Sequence, residues 1–273
     1  MNYTGFTFCD MKTINIGVAG ITKLSNQYYI LYEGHNRIDV FRDRSPYNFV
    51  SKLEIDSNDL CYLRDVCACP VSGNLFVTDS GNRCVWRIDA SNDHAVSKWI
   101  SVDGRPRTLA VISQIRLLVI VDSDKTRLAI YDVDGRLERY IDVPSDMQDV
   151  KHAVESSSGT FVVSHGQLDF RQHRVCEMST DGKQVIRSFG DRCSHFAGSL
   201  NQPVYLAVHT DGQTIFVADS ENERVVVLGK ELSLQSFIKN EGYTSLCIYY
   251  DAEASDLVVG TKTKGISFIK YSA

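Results

Sequence analysis

One pattern is written several times along this chain: "LFVTDSGNRCVWRI" at Leu75–Ile88, "LVIVDSDKTRLAIY" at Leu118–Tyr131 and "IFVADSENERVVVL" at Ile215–Leu228. Each copy is an apolar run, Asp-Ser, a short polar turn with a basic residue, and a second apolar run. Repetition of this kind limits the fold severely. A short repeated unit cannot bury its own apolar faces and must bury them against its neighbours. Alignment on the Asp gives equivalent positions at Glu33, Asp79, Asp122, His165, Asp219 and Thr261. The steps are about 43 to 46 residues, with a longer one of about 54 between His165 and Asp219.

Every repeat follows the same grammar. A first apolar run ("VCAC", "TLAVI", "KHAVE", "YLAVH") is followed by a polar turn ("PVSGN", "SSSG", "HTDGQ"). The run carrying the Asp comes next, then a third and a fourth ("AVSKWISV", "LERYIDV", "LQSFI"). The runs are short, rich in Val, Ile, Leu and Tyr, and bounded by Gly, Asp, Asn and Ser, which is the signature of strands. No window carries a helical stripe. Four short strands per repeat at this period describe a propeller blade. The expectation is an all-β, six-bladed β-propeller forming one domain over 1–273. The last repeat has strands near Leu246–Tyr250, Leu257–Gly260 and Ile266–Tyr271 and lacks a fourth. The N-terminal "YTGFTFCD" is therefore expected to pair with "GISFIKYS" as the outer strand of the sixth blade and close the ring, covering two open edges.

The second and fifth repeats, with the lead-in "SFGDRCSHFAGSLNQPVYLAVHTDG", resemble the NHL-repeat family. The third repeat resembles it recognisably, the fourth and sixth only weakly. The resemblance implies a six-bladed propeller of the kind found at the C-terminal end of tripartite-motif proteins, where it binds proteins or RNA. It also implies a role in choosing substrates for a ubiquitin ligase.

Of the 273 residues, 43% are hydrophobic and 23% charged, an ordinary globular balance that argues against disorder. The net charge of -5 argues against a nucleic-acid binder at the level of the whole chain. It leaves room for a local basic patch. The first residues lack a basic start followed by a long apolar run. No apolar stretch approaches the roughly 18 residues of a spanning helix. A cytoplasmic protein without a membrane partner is expected. The eight cysteines are scattered, several inside strand-like runs, and are expected to be reduced and buried. Cys67 and Cys69 share a strand face and could join Cys61 on a metal, but no second Cys or His pair has zinc spacing. No metal or cofactor is expected.

An Asp required once per blade reads as architecture: at a strand end it accepts hydrogen bonds from the next turn's backbone. The Arg residues that follow (Arg37, Arg83, Arg127, Arg174 and Arg224) are expected to lie across it. An enzyme on this fold would aim unlike residues at the central channel. The positions 14 before each Asp equivalent, Ala19, Asp65, Thr108, Lys151 and Tyr205, with Ser245 in the sixth blade, contain one carboxylate. No nucleophile–His–Asp arrangement is legible, so no catalytic residue is assigned and a hydrolase or lyase ranks third. The candidate ligand-binding face lies on blades two and three. It collects Arg64, Arg83, Arg105, Arg107, Lys125 and Arg127, with Tyr62, Lys151, Tyr205 and Tyr243 near by register. Such a set suits an acidic or phosphorylated peptide, or an RNA backbone. The lengthened turn "HGQLDFRQHRVCEM" is expected to protrude as a recognition loop bearing Asp169, Phe170, Arg171 and His173. The leading expectation is thus a non-enzymatic module that binds a protein or peptide, with single-stranded RNA as the alternative.

Overall fold

The computed structural model describes residues 6–13, 16–43, 47–55, 62–122, 126–166, 172–191, 196, 198–239, 244–263 and 265–271, with backbone alone at 6–13 and 114. Five repeats each fold into one four-stranded antiparallel sheet, the last three strands join the N-terminal strand in a sixth, and the six sheets are the blades of a β-propeller. Numbered in chain order, β1 is Phe6–Thr13. The chain divides into two compact units, Val18–Asp142 and Met1–Gly17 with Val143–Ala273.

The unit Val18–Asp142 holds three blades. The first is β2 (Val18–Leu24), β3 (Gln27–Tyr32), β4 (Arg37–Arg42) and β5 (Phe49–Glu54). The second is β6 (Leu63–Cys69), β7 (Asn74–Asp79), β8 (Cys84–Asp89) and β9 (Ala95–Ser101). The third is β10 (Arg105–Ile112), β11 (Arg116–Asp122), β12 (Thr126–Tyr131) and β13 (Leu137–Asp142). The second blade shows why the sequence reads as near-continuous apolar runs. Successive strand residues face opposite sides of a sheet. Val66, Ala68, Leu75, Val77 and Ile88 therefore pack on Leu31, Ile38 and Val40 of the first blade. Cys67, Cys69, Phe76 and Val85 pack on Leu109, Leu117, Val119 and Ala129 of the third. Both faces are buried, so both phases of the alternation are apolar. The fourth strand escapes this demand: most of β9 is exposed.

The other unit is built alike. Its blades are β14 (Val150–Glu155), β15 (Phe161–His165), β16 (Arg174–Met178) and β17 (Val185–Phe189); then β18 (Pro203–Val208), β19 (Ile215–Asp219), β20 (Arg224–Leu228) and β21 (Leu234–Lys239). The last contains β22 (Ser245–Asp251), β23 (Asp256–Thr261) and β24 (Gly265–Tyr271). Val162 and Val175 of one blade meet Leu206, Ile215, Val217 and Val226 of the next. The expected sharing of the sixth blade is present. β1 runs antiparallel to β24, from Phe6 opposite Tyr271 to Thr13 opposite Gly265.

All six first strands break register near their start: between Val18 and Gly20, Leu63 and Asp65, Pro106 and Leu109, Val150 and His152, Pro203 and Tyr205, and Ser245 and Cys247. A bulge of this kind re-aims a side chain without ending the strand. Arg64, Arg107 and Lys151 sit in these skips. Gly104, just before β10, has φ 138°, and a Cβ there would collide with the Asp122 carbonyl. Five described cysteines, Cys67, Cys69, Cys84, Cys176 and Cys247, are free and buried. Among the described residues no helix is long and apolar enough to cross a membrane.

Removing residues 1–13 should uncover the whole β24 edge. At about 1 kcal/mol per lost backbone hydrogen bond, the unfolding free energy should fall by several kcal/mol, read as a lower urea midpoint. An unchanged curve would overturn the pairing.

Candidate functional site

The repeated Asp is a structural node. Asp79 is wholly buried and receives the backbone N–H of Tyr62 (3.0 Å), Gly81 (3.1 Å) and Asn82 (3.1 Å), the Asn82 amide (2.8 Å) and the Trp86 indole N–H (2.9 Å). One carboxylate thus ties the loop entering β6 to the β7–β8 turn. Burial pushes the Asp79 carboxyl up, but the bonds from Trp86, Tyr62 and Asn82 outweigh it and hold the group below the ordinary carboxylate range. Asp219 does the same work in the fifth blade, receiving Asn201 N–H at 2.6 Å, the Asn222 amide at 2.8 Å and Arg224 Nε at 2.7 Å. There burial dominates and the carboxyl lies above its usual value.

The arginines after the Asp do not share one role. Arg224 lies across Asp219 as expected and also donates to the carbonyl of Ser199 at 2.7 Å. Arg83 does not lie across Asp79. It occupies the left-handed turn position (φ 50°), which in the fifth blade belongs to Glu223 (φ 50°). Cys84, not Arg83, stands where Arg224 does, opposite the Asp, and Trp86 fills the vacancy. Arg127 approaches Asp142 at 3.3 Å, off the hydrogen-bond axis, and lies over the Tyr140 ring. Arg37 pairs with Asp39 and Arg174 with Asp191, both strand or loop carboxylates. Asp122 takes the Thr126 hydroxyl at 2.8 Å and forms its ion pair with Arg107.

These facts sort the candidate face. Strands β6 and β10 lie side by side, joined by Leu109 N–H to Asp65 (3.0 Å) and the Thr78 hydroxyl to the Arg107 carbonyl (2.7 Å). Asp65 is thereby a buried strut, satisfied also by Val66 N–H at 2.9 Å. At the Asp79 end of these blades, Arg64, Arg83 and Arg105 are exposed, and none forms an ion pair among the described residues. Arg64 stands 4.2 Å from the centroid of the Tyr62 ring, itself 46% exposed, and reaches Ser80 Oγ at 3.4 Å. Arg107 and Arg127 are already engaged by carboxylates. Lys125 and Tyr243 lie outside the described residues.

In the other unit, Lys151 is partly buried and paired with Asp149 at 2.6 Å. Tyr205 is buried and stacked on His152 with ring centroids 3.8 Å apart. Neither presents a free surface. Burial drives the His152 imidazole down to about 3. His165, the fourth blade's Asp equivalent, is pushed down by burial to about 4 and sits 3.3 Å from Cys176 Sγ. His173, expected on the protruding loop, is instead fully buried. Gln202, with φ 58°, turns its N–H inward, and His173 Nδ1 accepts it at 2.7 Å. Asp169, Phe170 and Arg171 lie outside the described residues. Sequence reasoning missed Phe196, 82% exposed, although its carbonyl is held by Ser199 and Arg224. Among the described residues no group of three His, Cys, Asp or Glu side chains is placed to hold a metal ion.

No protein-family model and no curated protein matches the sequence. Solved structures do match it in three dimensions. A streptogramin B lyase structure aligns with a TM-score of 0.67 at 11% identity over 100% of both chains. A hydrazine synthase from Kuenenia stuttgartiensis aligns with a TM-score of 0.69 at 11% identity, over 97% of this chain and 98% of that one. At such identity the likeness is one of fold, the six-bladed β-propeller.

Asp79→Asn should cost roughly 2–3 kcal/mol at neutral pH, because an amide turns a donor toward the Trp86 and Asn82 donors. The folded-state carboxyl is depressed below its ordinary value of 3.8. Its contribution is therefore present above that value and lost as pH falls through the folded value. Urea midpoints should differ widely between wild type and variant at neutral pH, and the gap should narrow on acidification.

Proposed function

We propose that this chain is a non-enzymatic recognition module, and that the Asp79 end of its second and third blades binds an acidic or phosphorylated segment of a partner protein. The observation that carries this reading is the trio Arg64, Arg83 and Arg105. All three are exposed and without a carboxylate partner among the described residues, in a chain whose net charge is -5. A guanidinium presents a planar fork that matches carboxylate or phosphate oxygens two at a time. Arg64 rests on the Tyr62 ring, which limits the freedom it loses on binding. Arg83 is carried on a turn fixed from beneath by Asp79. The overall negative charge disfavours the long-range attraction on which nonspecific RNA binding depends. The NHL resemblance adds a setting for such a module, substrate choice within a ubiquitin ligase.

RNA is the second reading, and Tyr62 is the observation that favours it, since an exposed ring beside a guanidinium can stack a base. The triple variant Arg64→Glu, Arg83→Glu, Arg105→Glu separates the two. Its melting temperature should match wild type, because none of these side chains is buried. On an array of acidic and phosphorylated peptides, binding should fall by roughly tenfold or more per arginine. Retained peptide binding would overturn the proposal. Wild-type binding confined to RNA, with a steep salt dependence that flattens in the variant, would favour the second reading instead.

A further inference from the structure

A cleft of about 260 Å³ opens between the fourth and fifth blades, where β14 turns into β15 and β18 turns into β19. Its volume falls just under the roughly 300–1,000 Å³ of sites that hold drug-sized molecules, so it suits a ligand of a single ring. We propose that this cleft binds a neutral polyhydroxylated ligand about the size of one sugar ring. The site is independent of the arginine trio.

Three features specify that chemistry. The first is hydroxyl density. Ser156, Ser157 and Ser158 line the cleft; the Ser156 and Ser158 oxygens lie 2.8 Å apart and form a closed triangle with Thr160 at 2.7 Å and 3.0 Å, and Thr160 donates to Glu177 at 2.5 Å. A hydroxyl both donates and accepts, so a triangle of them has lone pairs left over for ligand O–H groups. The second is charge balance. Arg187 lies 2.9 Å from Glu177 and 3.7 Å from Glu231, and Lys230 completes the rim. Two cations face two carboxylates, so an anionic ligand would meet Glu177 and Glu231 as well as the cations. The third is the floor: Val162, Ile215 and Leu232 give an apolar surface beneath the polar walls, the pairing that the C–H and O–H faces of a sugar ring require. The rim is also held in a costly backbone shape. Glu231 (φ 62°) and Leu232 (φ 54°) are consecutive left-handed residues other than glycine, and strain of this kind gathers at ligand-binding sites.

Ligand-observed saturation-transfer NMR on the intact chain tests this with D-glucose and myo-inositol as neutral probes and glucose 6-phosphate as the anionic control. Wild type should bind at least one neutral probe. Glu177→Gln should weaken that binding roughly tenfold, the loss of one charge-assisted bond. Gln213→Trp, placed on the exposed turn at the rim, should abolish it by filling the cleft, and carries the test should Glu177→Gln melt early. Absence of transfer from both neutral probes would overturn the proposal. So would binding untouched by both substitutions, or tighter binding of the phosphorylated sugar.

Discussion

An ionised carboxylate shut away from water persists only where donors surround it. In this chain that requirement organises one end of the second and fifth blades. Asp79 gathers the approach to β6 and the β7–β8 turn around a single pair of oxygens. Asp219 gathers the approach to β18 and the β19–β20 turn in the same way. Loops that would otherwise wander are fixed relative to the sheets. The arginines of the second blade stand on loops so fixed, and can present charge without each being tied down by a carboxylate of its own.

The balance of burial and donors decides how such a node behaves. At Asp79 the indole, side-chain amide and backbone donors outweigh burial and the carboxyl is depressed; at Asp219 burial outweighs the donors and the carboxyl is raised. Two positions with the same place in the repeat thus titrate in opposite directions. The fourth blade gives up the carboxylate and keeps a buried imidazole beside a thiol. There His173, reaching across to Gln202, ties neighbouring blades together.

The fold was legible because the second and third strands of the blades are buried on both faces, which leaves an apolar imprint in both phases of those strands. The pairing of β1 with β24 was legible from the count of strands alone. Residue-level positions were not, because the place after each bulge depends on the length of the first hairpin and not on a fixed count back from the Asp position. Asp65 facing Thr78 and Tyr205 facing Ala218 keep the expected spacing, but Cys247, facing Gly260, takes that place two residues after Ser245, and Gly20 and His152 take it one residue after Ala19 and Lys151. The same one-residue offset separates Arg83 from Arg224. His173 was misjudged because its partner, Gln202, lies 29 residues away, beyond any local pattern. Free and engaged arginines look alike in sequence, since the Arg107 partner comes from a different strand.

The sixth blade has a temporal consequence. Phe6 pairs with Tyr271, so β1 is made before the other strands of the propeller and its partner after them. At about 5–20 residues per second during synthesis, the two strands emerge roughly 13 to 50 s apart. Throughout that interval β1 has no ladder to join, while the blades between can already assemble on one another. The sixth blade therefore sets when the propeller closes, and a ribosome that stalls before β24 leaves an open-edged intermediate ready for strand exchange with another nascent chain.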